Sequence, residues 1–214
     1  MLYQEYLTYL PRQKDGKVLD IGCGDGSFII FLKEQGFKNV HGIDIDHQQV
    51  EKCRSRGLRE TEYINELGDF LRDKSATYQL IIMKQVIYYF SDEQLDTYLS
   101  LVRDSLAADG LLMVEVFNGA ILTARFIKDR DHKIKRVFNE YSLRAALENS
   151  GLEVLKLLGN DICLDNFKRL IWFSWRQLWT ICLRIVYILE RGFDPYNPKI
   201  LSKNIIAIAK RRHC

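Results

Sequence analysis

A chain of 214 residues, 47% hydrophobic and 28% charged, has material for one domain with a full core and the balance of an ordinary globular protein. Its formal charge of +3 is too small to argue for nucleic acid, and none is expected as a partner.

Residues 2–10 read as a short amphipathic helix closed by Pro11. The stretch "MLYQEYLTYLPRQKDGK" around it carries Glu5 and has no uninterrupted apolar core, so it is not read as a signal peptide. Residues 18–21 are an apolar strand that runs into glycines, and 27–35 read as a helix stopped by Gly36. Residues 40–45 form a second strand ending in the acids Asp44 and Asp46, and 47–56 a helix that closes at Gly57. Tyr63 and Ile64 mark a weak third strand. Residues 80–83 begin a strong apolar run. Residues 92–107 are a helix that starts at Ser91, with Glu93 and Gln94 in its first turn. Asp109-Gly110 reads as a turn before a strand over 111–117. Residues 141–149 form a helix ended by Gly151, and 152–158 and 205–209 are the last two strands. Strands alternating with helices predict a mostly parallel sheet covered on both faces. Five scattered cysteines (Cys23, Cys53, Cys163, Cys182, Cys214) contain no C-x-x-C pair. Their spacing fits neither a zinc site nor a disulfide framework, so free thiols, no metal and a cytoplasmic location are expected.

The stretch "VLDIGCGDG" (18–26) places three glycines directly after the first strand. In a parallel sheet, ligands bind at the carboxyl ends of the strands. A glycine turn there lets a ligand lie against bare backbone and aims a helix N-terminus at it. Asp44 follows Gly24 by twenty residues, the usual interval for an acid that accepts from ribose hydroxyls. A nucleoside-containing cofactor is therefore expected. The pattern is G-x-G-x-G, with Ser27 where a dinucleotide site wants its third glycine. Asp20, two residues before the first glycine, suits an ammonium better than a pyrophosphate.

"VLDIGCGDG" followed by "HGIDID" resembles the first two motifs of class I S-adenosylmethionine-dependent methyltransferases. The resemblance continues through "YQLIIMKQVIYYF", "LVRDSLAADGLLMVEVFN" and "FNEYSLRAALENSGLEVLKLLG", and covers most of residues 15–160. It implies a Rossmann-like α/β fold: a seven-stranded, mostly parallel sheet in the order 3-2-1-4-5-7-6, last strand antiparallel, with helices on both faces. It implies S-adenosyl-L-methionine as cofactor and S-adenosyl-L-homocysteine as product. By position, Gly22, Gly24 and Gly26 would line the methionine and ribose, and Asp20 would sit near the amino group. Asp44 would hold the ribose hydroxyls, and Cys23 and Ile45 belong to the same site. Glu66 or its neighbour Asn65 would face the adenine amino group, and Gln85 would lie beside the methionine end. Where relatives often read His-Val-Leu-Glu-His after strand four, this chain reads "QVIYY", so Tyr88 and Tyr89 stand in place of an acid and a histidine.

Methyl transfer from a sulfonium chiefly needs alignment and exclusion of water, and a hydroxyl acceptor usually also needs a base. Candidates above the strand ends are Glu115, Asn118, and Asp131 with His132 in the loop "KDRDHKIKR". His132 and Asp131 are the chosen catalytic pair, His132 because its ordinary pKa is near neutral. The same loop holds Lys128, Arg130, Lys133, Lys135 and Arg136, which read either as a solvated lid or as a clamp on an acidic or phosphate-bearing acceptor.

The chain reads as a single domain (1–214) with an insertion at 160–203 before the last strand. Within it, Phe167, Leu170, Ile171, Trp175, Leu178, Ile185 and Leu189 fall at helical spacing, and basic residues lie opposite. A membrane span is rejected, because Arg176 and Arg184 would each cost about 2.5–3.5 kcal/mol near its centre. Two readings survive for 167–191: packing on the domain or a partner subunit, or lying in a membrane interface at the inner membrane surface. The tail "ERGFDPYNPKILSKNIIAIAKR" resembles that of methyltransferases of bacterial lipopolysaccharide and capsule synthesis. The expected acceptor is therefore a small molecule or glycan, methylated on oxygen. The alternatives are an RNA or protein substrate, or a non-catalytic cofactor-binding partner subunit.

Overall fold

The computed structural model describes residues 3–159 and 167–212. The chain opens with a 3-10 turn at Gln4–Tyr9, then β1 (Lys17–Ile21), α1 (Ser27–Glu34), β2 (Asn39–Asp44), α2 (His47–Ser55) and β3 (Thr61–Tyr63). Next come α3 (Leu67–Leu71), β4 (Tyr78–Lys84), α4 (Asp92–Ser105) and β5 (Leu106–Phe117). The last elements are α5 (Ala124–Arg130), α6 (Glu140–Asn149), β6 (Leu152–Gly159), α7 (Phe167–Arg191) and β7 (Asn204–Arg211). Seven strands form one sheet in the order β3-β2-β1-β4-β5-β7-β6. Every pairing is parallel except those of β7, which runs antiparallel to β5 and β6. This is the sheet that the glycine motif and the strand–helix alternation imply.

Both faces of the sheet are covered, so the central strands bury both of their side-chain sets. Along β4, Ile81 and Met83 enter the layer that also holds Leu71, Leu99 and Leu147 of α3, α4 and α6. Leu80 and Ile82 enter the opposite layer, with Tyr6 of the N-terminal turn and Phe28 and Leu32 of α1. Two capping boxes fix helix starts: Ser91 with Gln94 at α4, and Asn139 with Ser142 at α6.

Three local features depart from the sequence reading. Asp109-Gly110 falls inside β5 rather than before it, in a bulge: pairing passes from Tyr78–Leu106 to Leu80–Leu111, so residues 107–110 loop out of the ladder and Gly110 comes back against the Ala107 backbone. The pairing register with β4 shifts between Tyr78 and Leu80, and a side chain at Gly110 would stand 2.7 Å from the Tyr78 carbonyl. The glycine therefore serves close approach of two strands. α3 and α5 were not anticipated, since five to seven residues are too few to show a period. Cys23, Cys53 and Cys182 are free thiols, while Cys163 and Cys214 lie outside the described residues, as does the start of the insertion at 160–166.

α7 is the long amphipathic helix expected, and of the placements left open for it, packing of the apolar stripe on the domain is not seen among the described residues. The line that faces the body is Arg176, Thr180, Leu183 and Tyr187, of which Leu183 is buried and the others half-buried. The Tyr187 hydroxyl donates to the Ala120 carbonyl. The apolar stripe points away, into the open.

Candidate active site

The carboxyl ends of β1, β2 and β4 meet at the glycine turn. The amides of Gly22 and Cys23 both donate to the Ile43 carbonyl, at 2.8 and 3.0 Å. Gly24 donates its amide to Asp44 Oδ2 at 2.8 Å, and the Asp46 amide donates to Asp44 Oδ1 at 2.9 Å. Each carboxylate oxygen of Asp44 thus anchors one backbone amide and keeps a second lone pair for another donor. Those two lone pairs suit the vicinal hydroxyls of a ribose.

The three glycines have left-handed φ of 72°, 55° and 75°, yet different surroundings. A side chain on Gly22 would meet Val86, and one on Gly26 would meet Leu58 and Cys53. One on Gly24 would meet nothing within 4 Å, so Gly24 is the glycine that leaves its backbone open to a ligand. Gly24→Ala is therefore expected to fold at a cost of about 1–2 kcal/mol from its left-handed backbone, and to lose cofactor affinity. Gly26→Ala adds overpacking of about 1–3 kcal/mol and melts markedly lower. Thermal melts with and without S-adenosylmethionine check the pair; equal melting of the two variants contradicts this division.

Asp20 lies beneath the turn, 1% exposed, on the face of β1 opposite Ile21. Its Oδ2 has no hydrogen-bond partner. Burial raises its pKa to about 7, against the opposing pull of Lys84 and with a small push from Asp44. A buried carboxylate oxygen with no donor, next to open glycine backbone, fits the ammonium of an amino-acid cofactor. Cys23 does not serve as a side-chain ligand: it turns into the core against Gly42, and burial raises its thiol pKa strongly.

A cavity of about 580 Å³ opens over the strand ends. Gly22, Asp44, Ile45 and Gln85 form part of its wall, and Asp131 and His132 lie across from them. Ile45 is 70% exposed, a large apolar side chain that an adenine ring would cover. Gln85 has φ of 58°, and its Oε1 is buried without a partner, a second acceptor available to a bound group. Asn65 and Glu66 do not line the cavity, contrary to expectation. Glu66 caps α3 by accepting from the Asp69 amide at 2.7 Å and also accepts from the Tyr98 hydroxyl. Asn65 accepts from Tyr63 at 3.0 Å. Ile64 and Leu67 provide the wall there instead.

The far wall is the loop after α5. The Lys135 amide donates to the Tyr88 carbonyl at 2.9 Å, and Tyr89 donates its hydroxyl to Asp131 at 3.0 Å. Arg136 pairs with Asp92 at the start of α4. These contacts bring Asp131, His132, Lys133 and Lys135 onto the cavity. The Lys133 amide and the Tyr89 hydroxyl hold Asp131 below the usual carboxylate range. Asp131 is thus a stable anion beside His132 rather than a base of raised pKa. The two tyrosines divide their work: Tyr88 is buried, stacked on Phe117 at 5.4 Å, and Tyr89 lines the cavity and holds the loop.

Glu115 and Asn118 are not bases. Glu115 is buried and bound by Lys84, Tyr6 and Asn204, joining β4, β5, β7 and the N-terminal turn. Asn118 donates to the carbonyls of Ile200 and Ser202 and accepts from the Ala120 amide. The roles of Tyr89, Lys133 and Lys135 had a sequence signal only in the basic loop and the aromatic pair; their union needed the fold.

The methyltransferase domain family matches residues 2–157. Protein arginine N-methyltransferase 1 of Schizosaccharomyces pombe is 29% identical over 147 residues, 63% of this chain and 41% of that protein. Trans-aconitate 2-methyltransferase of Rhizobium leguminosarum bv. trifolii is 27% identical over 115 residues, 53% of this chain and 43% of the relative. The chain spans less than half the length of the curated relatives it matches. A solved S-adenosylmethionine-dependent methyltransferase of Archaeoglobus fulgidus superposes with a TM-score of 0.70 at 19% identity, covering 97% of this chain and 91% of that one. With the motif, the sheet order and the Asp44 cradle in agreement, the chain belongs to the methyltransferase domain family and has the fold of its S-adenosylmethionine-dependent members.

Proposed function

We propose that the chain transfers a methyl group from S-adenosylmethionine to an oxygen of an anionic small molecule or glycan. The observation that carries this reading is the shared cavity: the Gly22–Asp44 cradle forms one wall and His132, Lys133 and Lys135 the other. Bound S-adenosylmethionine supplies an electrophilic methyl group and leaves as S-adenosylhomocysteine. Asp44 holds the ribose hydroxyls, Ile45 and Ile64 cover the adenine, and Asp20 and Gln85 accept from the amino-acid end. Lys133 and Lys135 neutralise an acidic group on the acceptor and aim its oxygen inward. His132 takes the proton when the acceptor is a hydroxyl, and the Asp131 carboxylate beside it stabilises the imidazolium. Val86, Tyr89 and Phe90 form an apolar rim that excludes water.

The name of trans-aconitate 2-methyltransferase describes action on a carboxylate-rich small molecule, which supports the anionic acceptor. The resemblance of the tail to lipopolysaccharide and capsule enzymes favours a sugar acceptor in surface polysaccharide synthesis. The tail's Pro-x-x-Leu stretch is firmly built in: the Glu140 carboxylate accepts from the Lys199 and Ile200 amides, the latter at 2.7 Å.

The test is transfer of labelled methyl groups to sugar acids, sugar phosphates and neutral sugars. The acidic acceptors are expected to be used and the neutral ones poorly. Lys133→Ala with Lys135→Ala is expected to raise KM for the acidic acceptor about tenfold or more, with cofactor affinity unchanged. Equal use of neutral and acidic acceptors, or a KM indifferent to both lysines, rejects the clamp. Methylation confined to a protein or RNA fraction rejects the acceptor class.

A further inference from the structure

The apolar face of α7 has no partner among the described residues. Leu183, on the inward line, is 2% exposed, whereas Leu189, on the outward face, is 80% exposed. Trp172, Trp175, Leu178, Trp179 and Ile185 are each more than half exposed. At about 100° of rotation per residue, the exposed apolar side chains cover roughly half the circumference of the helix. An apolar stripe normally faces the core, yet here the core side carries Arg176, Thr180 and Tyr187 around the buried Leu183. The helix meets the domain through the buried Leu183 and the Tyr187–Ala120 hydrogen bond, and presents its apolar stripe outward.

We propose that α7 docks this chain on the surface of an anionic lipid bilayer, lying in the interfacial plane with its apolar face down. Charge is the first argument. Residues 167–191 contain five basic residues and one acid, a net +4, which leaves the rest of the chain at −1. The chain's basic charge is thus gathered on the helix that carries the apolar face, mostly on its opposite side, the arrangement of an interfacial helix drawn to anionic headgroups. The same charge opposes a second copy as occupant, since pairing two such helices sets like charge against like. Width is the second argument: half a circumference of apolar side chains exceeds the narrow seam that one partner helix covers, but matches a planar slab. Composition is the third, because all three tryptophans of the chain lie on this helix, and tryptophan favours the headgroup boundary.

The helix does not cross the bilayer. Among the described residues no helix is long and apolar enough to span a membrane. β7 must also return to the sheet beside β5 only thirteen residues after α7 ends at Arg191. At the C-terminal half of α7, a recess of about 390 Å³ is lined by Arg184, Tyr187, Asp194 and Lys199. Asp194 is already paired with Arg191 at 2.6 Å, which leaves Arg184 and Lys199 to meet a headgroup phosphate.

The tryptophans make the test direct, because intrinsic tryptophan fluorescence of the whole chain reports α7 alone. Vesicles of phosphatidylcholine with about a third phosphatidylglycerol are expected to shift the emission to the blue and to carry the chain upward in flotation. Pure phosphatidylcholine is expected to do so at least tenfold less effectively, and high salt to weaken binding. Trp175→Glu with Leu178→Glu alters only exposed side chains, so it is expected to retain its circular dichroism and its cofactor-induced thermal shift while losing flotation at least tenfold. The inference is overturned if wild type neither floats nor shifts its emission with the anionic vesicles, or if the double variant floats equally well. It is also overturned if wild type is a stable dimer without lipid that the double variant converts to monomer. None of these readouts depends on the acceptor.

Discussion

Asp44→Ala is expected to bind S-adenosylmethionine about a hundredfold to ten-thousandfold more weakly than wild type. Two hydrogen bonds from ribose hydroxyls to a carboxylate contribute about 1.5–3 kcal/mol each, and each 1.4 kcal/mol is a factor of ten. The substitution also frees the Gly24 and Asp46 amides, which Asp44 now anchors at 2.8 and 2.9 Å. Loss of those anchors lets the turn relax and raises the entropy lost on binding. Asp44→Asn separates the two effects. Its one carbonyl oxygen keeps an anchor but loses the charge, so an intermediate loss of about ten- to a hundredfold is expected. Isothermal calorimetry measures all three proteins. Equal affinity of wild type and Asp44→Ala contradicts the ribose assignment and, with it, the orientation of the cofactor in the cavity.

The parts of this site legible in sequence are those set by backbone. The turn after β1 and the acid ending β2 show as glycine punctuation after an apolar run and as a fixed interval, because both are consequences of strand–turn–helix geometry. Side-chain direction was less legible. Cys23 sits between two site glycines, but whether it faces ligand or core depends on the neighbouring strand, and Gly42 of β2 leaves the space that it fills. For Glu66, given with Asn65 as the residue facing the adenine, the sequence does not show that it precedes a helix too short to have a period and serves as that helix's cap. The basic loop was visible as charge, yet its place on the cavity depends on a bond between Tyr89 and Asp131, forty-two residues apart. In α7 the period is legible in the sequence, whereas the direction of the apolar face is left open between packing and an interface. A period reveals two faces of a helix, and the rule that the apolar one turns inward holds only when nothing outside the chain covers it.

Asp20→Asn is expected to stabilise the cofactor-free protein at pH 8 while weakening its grip on S-adenosylmethionine. The carboxyl ionises near 4 in the unfolded chain and near 7 in the folded one, chiefly because it is buried. Below pH 4 both states hold the proton and the fold keeps its full advantage. Between pH 4 and pH 7 the unfolded chain releases the proton and the folded chain retains it, so stability falls as pH rises and levels off above 7. The loss amounts to something on the order of 4 kcal/mol, which the amide removes. Melting curves are therefore expected to separate at pH 8, with the variant higher by several degrees, and to converge toward pH 4. Cofactor binding has the opposite sign. The unpartnered Oδ2 must be ionised to hold an ammonium, so wild-type affinity is expected to fall by up to tenfold per unit as pH drops from 7 to 5. The variant, with no proton to lose, is expected to bind weakly and with a much flatter profile across that range. A variant no more stable than wild type at pH 8, or one that keeps the wild-type pH profile, contradicts the role given to Asp20. A buried charge that weakens the empty fold calls for a partner from outside the chain, and the open backbone at Gly24, four residues further on, leaves room for a ligand that brings one.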